Sequence, residues 1–278
     1  MRKRKPLYVR ALIALALLAA LVFFLFPVGW MFLTSFKTQD QIFSVPPVLV
    51  PPASQWNLDN YSAILTENNG LQGVRDTTII AFSTALVSVS VGSLAAYSLA
   101  RFRFGGDEFS FWIISTRMFP PVASAIPLFL IFRQLGIMDT HWVLIIANSV
   151  FNVPFAVWLL KSFIEDLPVE LEEAALIEGA TIFGVFRRIT LPLITPGLVT
   201  AFLFTFVFTW NEFMFALLLT RRAVRPMTVV ISSLAGGHTI LWAQIAAAGV
   251  ITIVPGVLVV VFLQRYIVRG LTMGALKN

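Results

Sequence analysis

Six side chains within the apolar runs of this chain have the chemistry to meet a polar solute: Arg117, Asn148, Asn152, Trp210, Asn211 and Glu212. Arg117 and Glu212 are the charges clearly inside such runs, and an ionisable group there normally faces a bundle interior or a cavity. Asn148 and Asn152 are four residues apart, hence on one face of a helix. Amides and a carboxylate hold hydroxyl groups, and an indole covers an apolar ring face. The same residues also suit interhelical hydrogen bonds or a structural Arg117–Glu212 pair. Both readings stay open at this point.

A second polar group lies outside the apolar runs: Glu170, Glu172 and Glu173, followed by Arg187 and Arg188. No histidine lies near these glutamates, so acid–base chemistry is not expected of them. The chain has no cysteine, and its two histidines, His141 and His238, are far apart. A thiolate metal site is therefore excluded, and both histidines are expected to be solvated loop residues. No G-x-x-x-x-G-K-[ST] stretch occurs, so the chain carries no phosphate-cradling loop of that kind. No paired aspartates, Ser–His pair or His–Glu metal motif falls in the apolar runs, which argues against an intramembrane enzyme.

These residues are set in 278 amino acids, 58% hydrophobic and 12% charged, with mean hydropathy +0.86. Soluble domains carry roughly 25% charged residues, so an ordinary soluble domain is excluded, as is intrinsic disorder. Six runs are long enough to cross a bilayer as helices: residues 12–36, 74–100, 109–132, 142–160, 196–220 and 244–263. Backbone groups in lipid must bond within their own segment, which selects helices. The expectation is one all-α membrane domain over residues 1–278 with six transmembrane helices.

Prolines 120, 121 and 127 in the third run predict a broken or kinked helix, and Pro27, Pro154 and Pro255 predict the same in others. The loop 37–73 holds Pro46, Pro47, Pro51 and Pro52, which favour extended backbone. Small residues at Gly92, Ser93, Ala95 and Ala96, and at 246–249, predict close helix contacts. With the N-terminus inside, thirteen Lys and Arg fall in the inside segments and six in the outside ones. Both termini are therefore expected in the cytoplasm. The basic start (pI near 10.1) then reads as a topology and headgroup signal rather than nucleic-acid binding. The first run continues through Phe36 with no small-x-small site after it, so an anchoring helix is expected rather than a cleaved signal.

The one long inside loop, 161–195, is not loop-like. Pro168 fits a first helical position, and the glutamates follow in the first turns, where the helix dipole favours negative charge. Leu171, Ala174, Ala175 and Glu178 share a side. Gly179 predicts a C-terminal stop, and Thr181 an N-cap for a second short helix. Leu191–Pro192 should break it, and Thr195 should cap the next span with Pro196 as its first residue. Two short helices hinged at glycine can dock into a cleft on another protein or lie on lipid.

Glu173-Ala174-Ala175, Gly179 and Ile189-x-Leu191-Pro192 resemble the EAA loop of ATP-binding-cassette importer permeases. The resemblance spans nearly the whole chain. It includes Asn57-Leu58-Asp59-Asn60-Tyr61, Met118, Pro120, Ile126-Pro127-Leu128, Leu135-Gly136, Asp139-Thr140, Trp210-Asn211, Gln264-Arg265-Tyr266 and Gly270-Leu271-Thr272. The combination is similar to the carbohydrate-importer branch, and within it to the maltose-type second permease. Glu178 departs from the pattern, where aspartate is more usual.

The resemblance implies a permease subunit in the inner membrane of a prokaryote. Its partners would be a second permease subunit, two ATP-binding subunits and an extracytoplasmic solute-binding protein, with a sugar-like solute. ATP and magnesium would be bound by the ATPase, leaving no cofactor here. Glu173, Ala174, Ala175, Gly179, Arg187, Arg188, Ile189, Leu191 and Pro192 would form the ATPase-coupling element. Arg117, Asn148, Asn152, Trp210, Asn211 and Glu212 would be candidates for the solute path, and residues 271–278 would be a tail reaching the ATPase. The competing reading is a secondary transporter or channel working without ATP.

Overall fold

The computed structural model describes residues 6–103, 105–236 and 239–274, with side chains through residue 263. The basic residues 2–5, His238 and the last four residues lie outside the described residues. So do the side chains of the 264–266 and 270–272 matches and of the 271–278 tail. Every element among the described residues is helical.

Four helices are long and apolar enough to cross a membrane: α1 (Leu7–Thr34), α2 (Gly70–Phe102), α5 (His141–Glu165) and α9 (Trp242–Gly274). Two bent pairs raise that to as many as six. In the first pair, α3 (Gly106–Ser115) and its following turn meet α4 (Pro121–Gln134) at 88°. The break falls at Pro120–Pro121, as the sequence predicts, because neither ring nitrogen can donate to a continuing helix. Pro27, Pro127, Pro154 and Pro255, in contrast, sit inside uninterrupted helices. A single missing N–H is tolerated there where adjacent polar groups or neighbouring helices absorb it.

The chain divides into two compact units, 1–71 with 231–253, and 72–230 with 254–278. In the first unit, α1 has no buried residue, and most of its apolar surface is exposed. The proline-rich segment after it folds back instead of trailing away. Phe36 stacks on Trp56 with ring centroids 4.7 Å apart, and the Asn60 amide donates to the carbonyls of Ser35 and Lys37, both at 2.9 Å. Lys37 is buried with its ammonium 4.5 Å from the Trp30 ring centre, and desolvation lowers its pKa. In the same unit, Gly249 leaves room for Met31, whose sulfur would lie 2.7 Å from an added Cβ.

The second unit packs α2, α5 and α7 (Thr195–Trp210) side by side. Lipid is as apolar as leucine, so close approach rather than water expulsion holds such helices together. Gly92 supplies that approach: a Cβ there would come within 2.7 Å of Ala156 Cβ. Ala96, Ala156 and Leu160 are fully buried beside it.

The helix ends follow local rules. Gly136 at φ +69° closes α4, with its N–H bonded to Arg133 and that of Ile137 to Phe132, the paired bonds of a glycine C-cap. Thr140 then caps α5 by accepting the Val143 N–H at 3.3 Å.

Candidate functional site

Two sites emerge in the second unit, one from each polar group of the sequence. The first is a cavity of about 340 Å³. Its wall includes Arg117, Asn148, Asn152, Asn211 and Glu212, five of the six candidates that the sequence singles out. Trp210 turns away from it. The residue is 6% exposed, and its ring stacks on Phe206 at 5.2 Å, within the core formed with Ala81 and Ala85.

The break in the fifth apolar run shapes this cavity. The sequence predicts one span over 196–220, but α7 stops at Trp210 and α8 (Met214–Leu219) starts anew. The cause is Glu212. Its two carboxylate oxygens accept the N–H groups of Phe215 at 2.9 Å and Ala216 at 3.1 Å, capping α8 from its own N-terminus. Among the described residues, Glu212 therefore makes no ion pair with Arg117. Arg117 instead lies between two aromatic faces, its guanidinium carbon 4.4 Å from the Phe155 centroid and 4.7 Å from that of Phe208.

Each of the three asparagines donates one amide bond to its own helix, and Asn152 also donates to the Thr209 hydroxyl of α7 at 3.3 Å. Asn148 donates to the Leu144 carbonyl at 2.9 Å, Asn152 to that of Asn148 at 3.0 Å, and Asn211 to that of Val207 at 2.8 Å. Their carbonyl oxygens are left as acceptors.

The second site is the loop 161–195. Helix α6 (Glu170–Ile177) carries the three glutamates in its first turn. It ends at Gly179, φ +89°, whose N–H bonds Leu176 while the N–H of Ala180 bonds Ala175. This is the stop that the sequence predicts, and only a residue without Cβ takes that φ freely. Thr181 caps the next turn by accepting the Gly184 N–H at 3.1 Å. Three expectations are corrected. Pro168 lies just before the helix rather than at its first position. Leu191–Pro192 does not break the second segment, which runs through a wide π turn over Phe186–Thr190 to Leu193 and then bends by 77° into α7. Thr195 donates its hydroxyl to Pro192 at 2.7 Å and caps nothing.

Glu173, Ala174, Gly179, Arg187, Arg188 and Pro192 are exposed, Ala175 and Ile189 are half-buried, and Leu191 packs inward with Ala96, Leu160 and Phe186. The outward face also carries apolar side chains that the sequence reading passed over. Ile177 is 87% exposed and Phe183 64%.

The residue that holds this loop was also missed. Glu172 is buried at 5% exposure. It takes an ion pair from Arg101 Nε at 3.0 Å, and hydrogen bonds from the hydroxyls of Tyr97 at 3.2 Å and Thr190 at 2.9 Å. Arg101 also donates to the Leu167 carbonyl at 3.2 Å. One carboxylate thus ties α6 to the end of α2 and to the π turn. The available signal was a glutamate on the inward side of α6, about 100° around the helix from the exposed Glu173, with an arginine closing α2.

At the other end of the unit, two aspartates organise the 220–227 segment. Asp139 accepts backbone N–H groups from Arg221, Arg222, Ala223 and Val224 at 2.8–3.2 Å. Burial raises its pKa, but the four donors outweigh that and hold it below the ordinary value. Asp76, 2% exposed, accepts the Arg225 N–H and meets His141 Nε2, both at 2.9 Å. His141 is therefore a structural partner and not a solvated loop residue.

Comparison with known proteins bears on both sites. Residues 88–273 match the family described as binding-protein-dependent transport system inner membrane component. The trehalose/maltose transport system permease protein MalG of Thermococcus litoralis is 34% identical over 280 residues, covering 99% of each chain. The trehalose transport system permease protein SugB of Mycobacterium tuberculosis is 34% identical over 258 residues, covering 91% of this chain and 93% of that one. Among solved structures, a bacterial ABC transporter involved in the import of the acidic polysaccharide alginate superposes with TM-score 0.72. It has 23% identity and covers 93% of this chain and 96% of that chain.

Proposed function

This chain belongs to the family of binding-protein-dependent transport inner-membrane components, and we propose that it forms half of the solute path of an ATP-driven importer for a sugar or sugar-like compound. It is a permease subunit and not an ATPase. A carrier working without ATP is not favoured by that membership. The reading extends the relatives' trehalose and maltose transport to this chain at the level of solute class.

In this reading the six apolar runs form one membrane domain with both termini in the cytoplasm. A second permease subunit completes the path, two ATP-binding subunits hold ATP and magnesium, and a binding protein delivers solute from outside. No nucleic acid takes part. The loop 161–195 is the coupling element, with Glu173, Ala174, Ala175, Gly179, Arg187, Arg188 and Ile189 at or near the contact. Leu191 and Pro192 set the bend into α7. Arg117, Asn148, Asn152, Asn211 and Glu212 line the path, while Trp210 supports it from the core.

The observation that carries this reading is the exposed apolar and charged face of the loop above a buried anchor. An exposed Ile177 at the end of α6 and Phe183 in the following turn, with Glu172 tying α6 down from behind, suit a partner's groove. Closure of the ATPase dimer would push α6, and the Glu172–Arg101 contact would pass the push to α2 as a rigid-body motion.

The test is co-purification of the tagged chain with its ATPase. Glu173→Lys reverses an exposed charge, and Gly179→Asp places a Cβ at φ +89°. The double variant should reach the membrane and lose the ATPase. Equal retention of the ATPase would remove the loop from the interface.

A further inference from the structure

The guanidinium of Arg117 is unsatisfied. Its Nη1 is buried with no hydrogen-bond partner, and no ion pair reaches Arg117 among the described residues. The two phenyl faces of Phe155 and Phe208 attract the cation through their quadrupoles, but they accept no in-plane N–H. A guanidinium carries five donors in a planar fork that matches the oxygens of a carboxylate, sulfonate or phosphate. An unpaired cation within an apolar run is costly, and such groups are normally kept for a partner or a pathway.

The acid in the same wall is already engaged. Glu212 aims both oxygens at the N-terminus of α8, where the helix dipole offsets its charge. Arg117 and Glu212 are the charged groups lining this cavity, and the other polar groups there are asparagine amides. Each asparagine has an amide bond back to its own helix and Asn152 a second one to Thr209, which holds the amides of Asn148, Asn152 and Asn211 with their carbonyl oxygens as acceptors. Phe151, Phe208 and Phe215 supply apolar ring faces. The wall therefore offers one fixed cation, several acceptors for hydroxyl donors, and flat apolar surface. Its volume of about 340 Å³ admits a small sugar.

We propose that Arg117 is an anion-recognising residue of the path, and that the transported solute is a hydroxylated, sugar-like compound bearing an acidic group. This rests on the path reading above and narrows its solute class. Aromatic stacking fixes the plane of the guanidinium, the acidic group receives its N–H fork, and the asparagine carbonyls accept from the ring hydroxyls. A neutral sugar offers Nη1 only an uncharged hydroxyl acceptor, whereas an acidic group adds a charge-assisted, bidentate contact, and that difference is what the site discriminates by.

The test uses the complete transporter, with the second permease and ATPase subunits, in lipid nanodiscs without nucleotide. Equilibrium binding is measured for radiolabelled D-glucose and for three C6 acids of the same ring: D-glucuronate, the 6-sulfonate and glucose 6-phosphate. At least one acid should bind about tenfold more tightly than glucose, a difference equivalent to about 1.4 kcal/mol. Which acid wins identifies the anionic group. Arg117→Gln should bring that ratio to near one, and Arg117→Lys should keep part of it. Asn211→Asp, which adds a negative charge to the same wall, should also lower the ratio and serves where Arg117→Gln fails to assemble. Glucose binding as tightly as every acid, a ratio that survives Arg117→Gln, or no binding of any probe overturns the proposal. Loss of the second permease from the Arg117→Gln preparation with an unchanged ratio does so too, because the guanidinium then pairs across the subunit interface. Retention of the ATPase in these same preparations keeps the coupling reading separate from the outcome.

Discussion

Arg101 and Glu172, 71 residues apart in the chain, meet at 3.0 Å with side chains only 9% and 6% exposed. Surface ion pairs contribute little, but breaking a buried pair from one side leaves an uncompensated charge and costs about 3–5 kcal/mol. Glu172→Gln keeps the shape and removes the charge. It should lower the thermal midpoint of the purified chain clearly, while Glu173→Gln, one residue on and exposed, should leave it unchanged. Arg101→Met with Glu172→Gln should recover part of the loss, as contacting pairs do in double-mutant cycles. Equal midpoints for the two single variants would show that the anchor is not where the geometry puts it.

Glu212 and Asn211 are neighbours with separable roles. Glu212 caps α8, so Glu212→Ala should destabilise by about 1 kcal/mol, and Glu212→Gln, which keeps an acceptor, by less. Asn211 is exposed at the cavity wall and its side chain makes one bond, to the Val207 carbonyl at the end of α7, so Asn211→Ala should raise the KM for uptake with a smaller change in thermal stability than Glu212→Ala. The comparison needs uptake and melting curves on wild type and these three variants. Identical behaviour of both alanine variants would merge the two roles.

Close approach at Gly92 gives a contrast within one residue type. A Cβ there would lie 2.7 Å from Ala156, whereas Gly29 has nothing within 4 Å. Overpacking typically costs about 1–3 kcal/mol. Gly92→Leu should therefore reduce the yield of monodisperse protein and its melting temperature, and Gly29→Leu should be tolerated. The readout is size-exclusion profile against temperature.

The Asp139 turn predicts a pH dependence. Its folded pKa lies below the ordinary value, so the stabilisation it gives is fully present above the unfolded pKa of about 3.9. It is lost as pH falls through the lowered folded value. Protease cleavage in 220–225 should therefore be slow and flat from neutral pH down to about 4, and rise only below that. Asp139→Ala should be cleaved quickly at neutral pH already. A wild-type rise well above that range would point to a different group.

Much of this molecule is legible in its sequence because lipid imposes simple rules. Length and hydropathy place the helices, Pro120–Pro121 places one break, and Gly179 and Thr181 place the turns of the loop, each through a local backbone constraint. The five wall residues of the cavity are legible because polar groups are rare in apolar runs. What escapes is set by contacts distant in the chain. Glu172 and Glu173 look alike in sequence, and only the packing of α6 on α2 makes one an anchor and the other a surface charge. The break after Trp210 depends on Glu212 reaching forward to two N–H groups, which apolar content alone conceals. His141 reads as a loop residue until Asp76 is seen beside it.

The most direct measurement of the central claim uses the absence of cysteine from the chain. A single Ile177→Cys, at a side chain 87% exposed, is paired with a cysteine in the groove of the ATPase subunit, and Val45→Cys, at a position 96% exposed, serves as control. In intact cells, a membrane-impermeant maleimide should label Val45→Cys and not Ile177→Cys. In isolated membranes, oxidation should join Ile177→Cys to the ATPase in high yield and leave Val45→Cys unlinked. Labelling of Ile177→Cys from outside, or no adduct with the ATPase, would contradict the coupling role of the loop and the orientation of the chain.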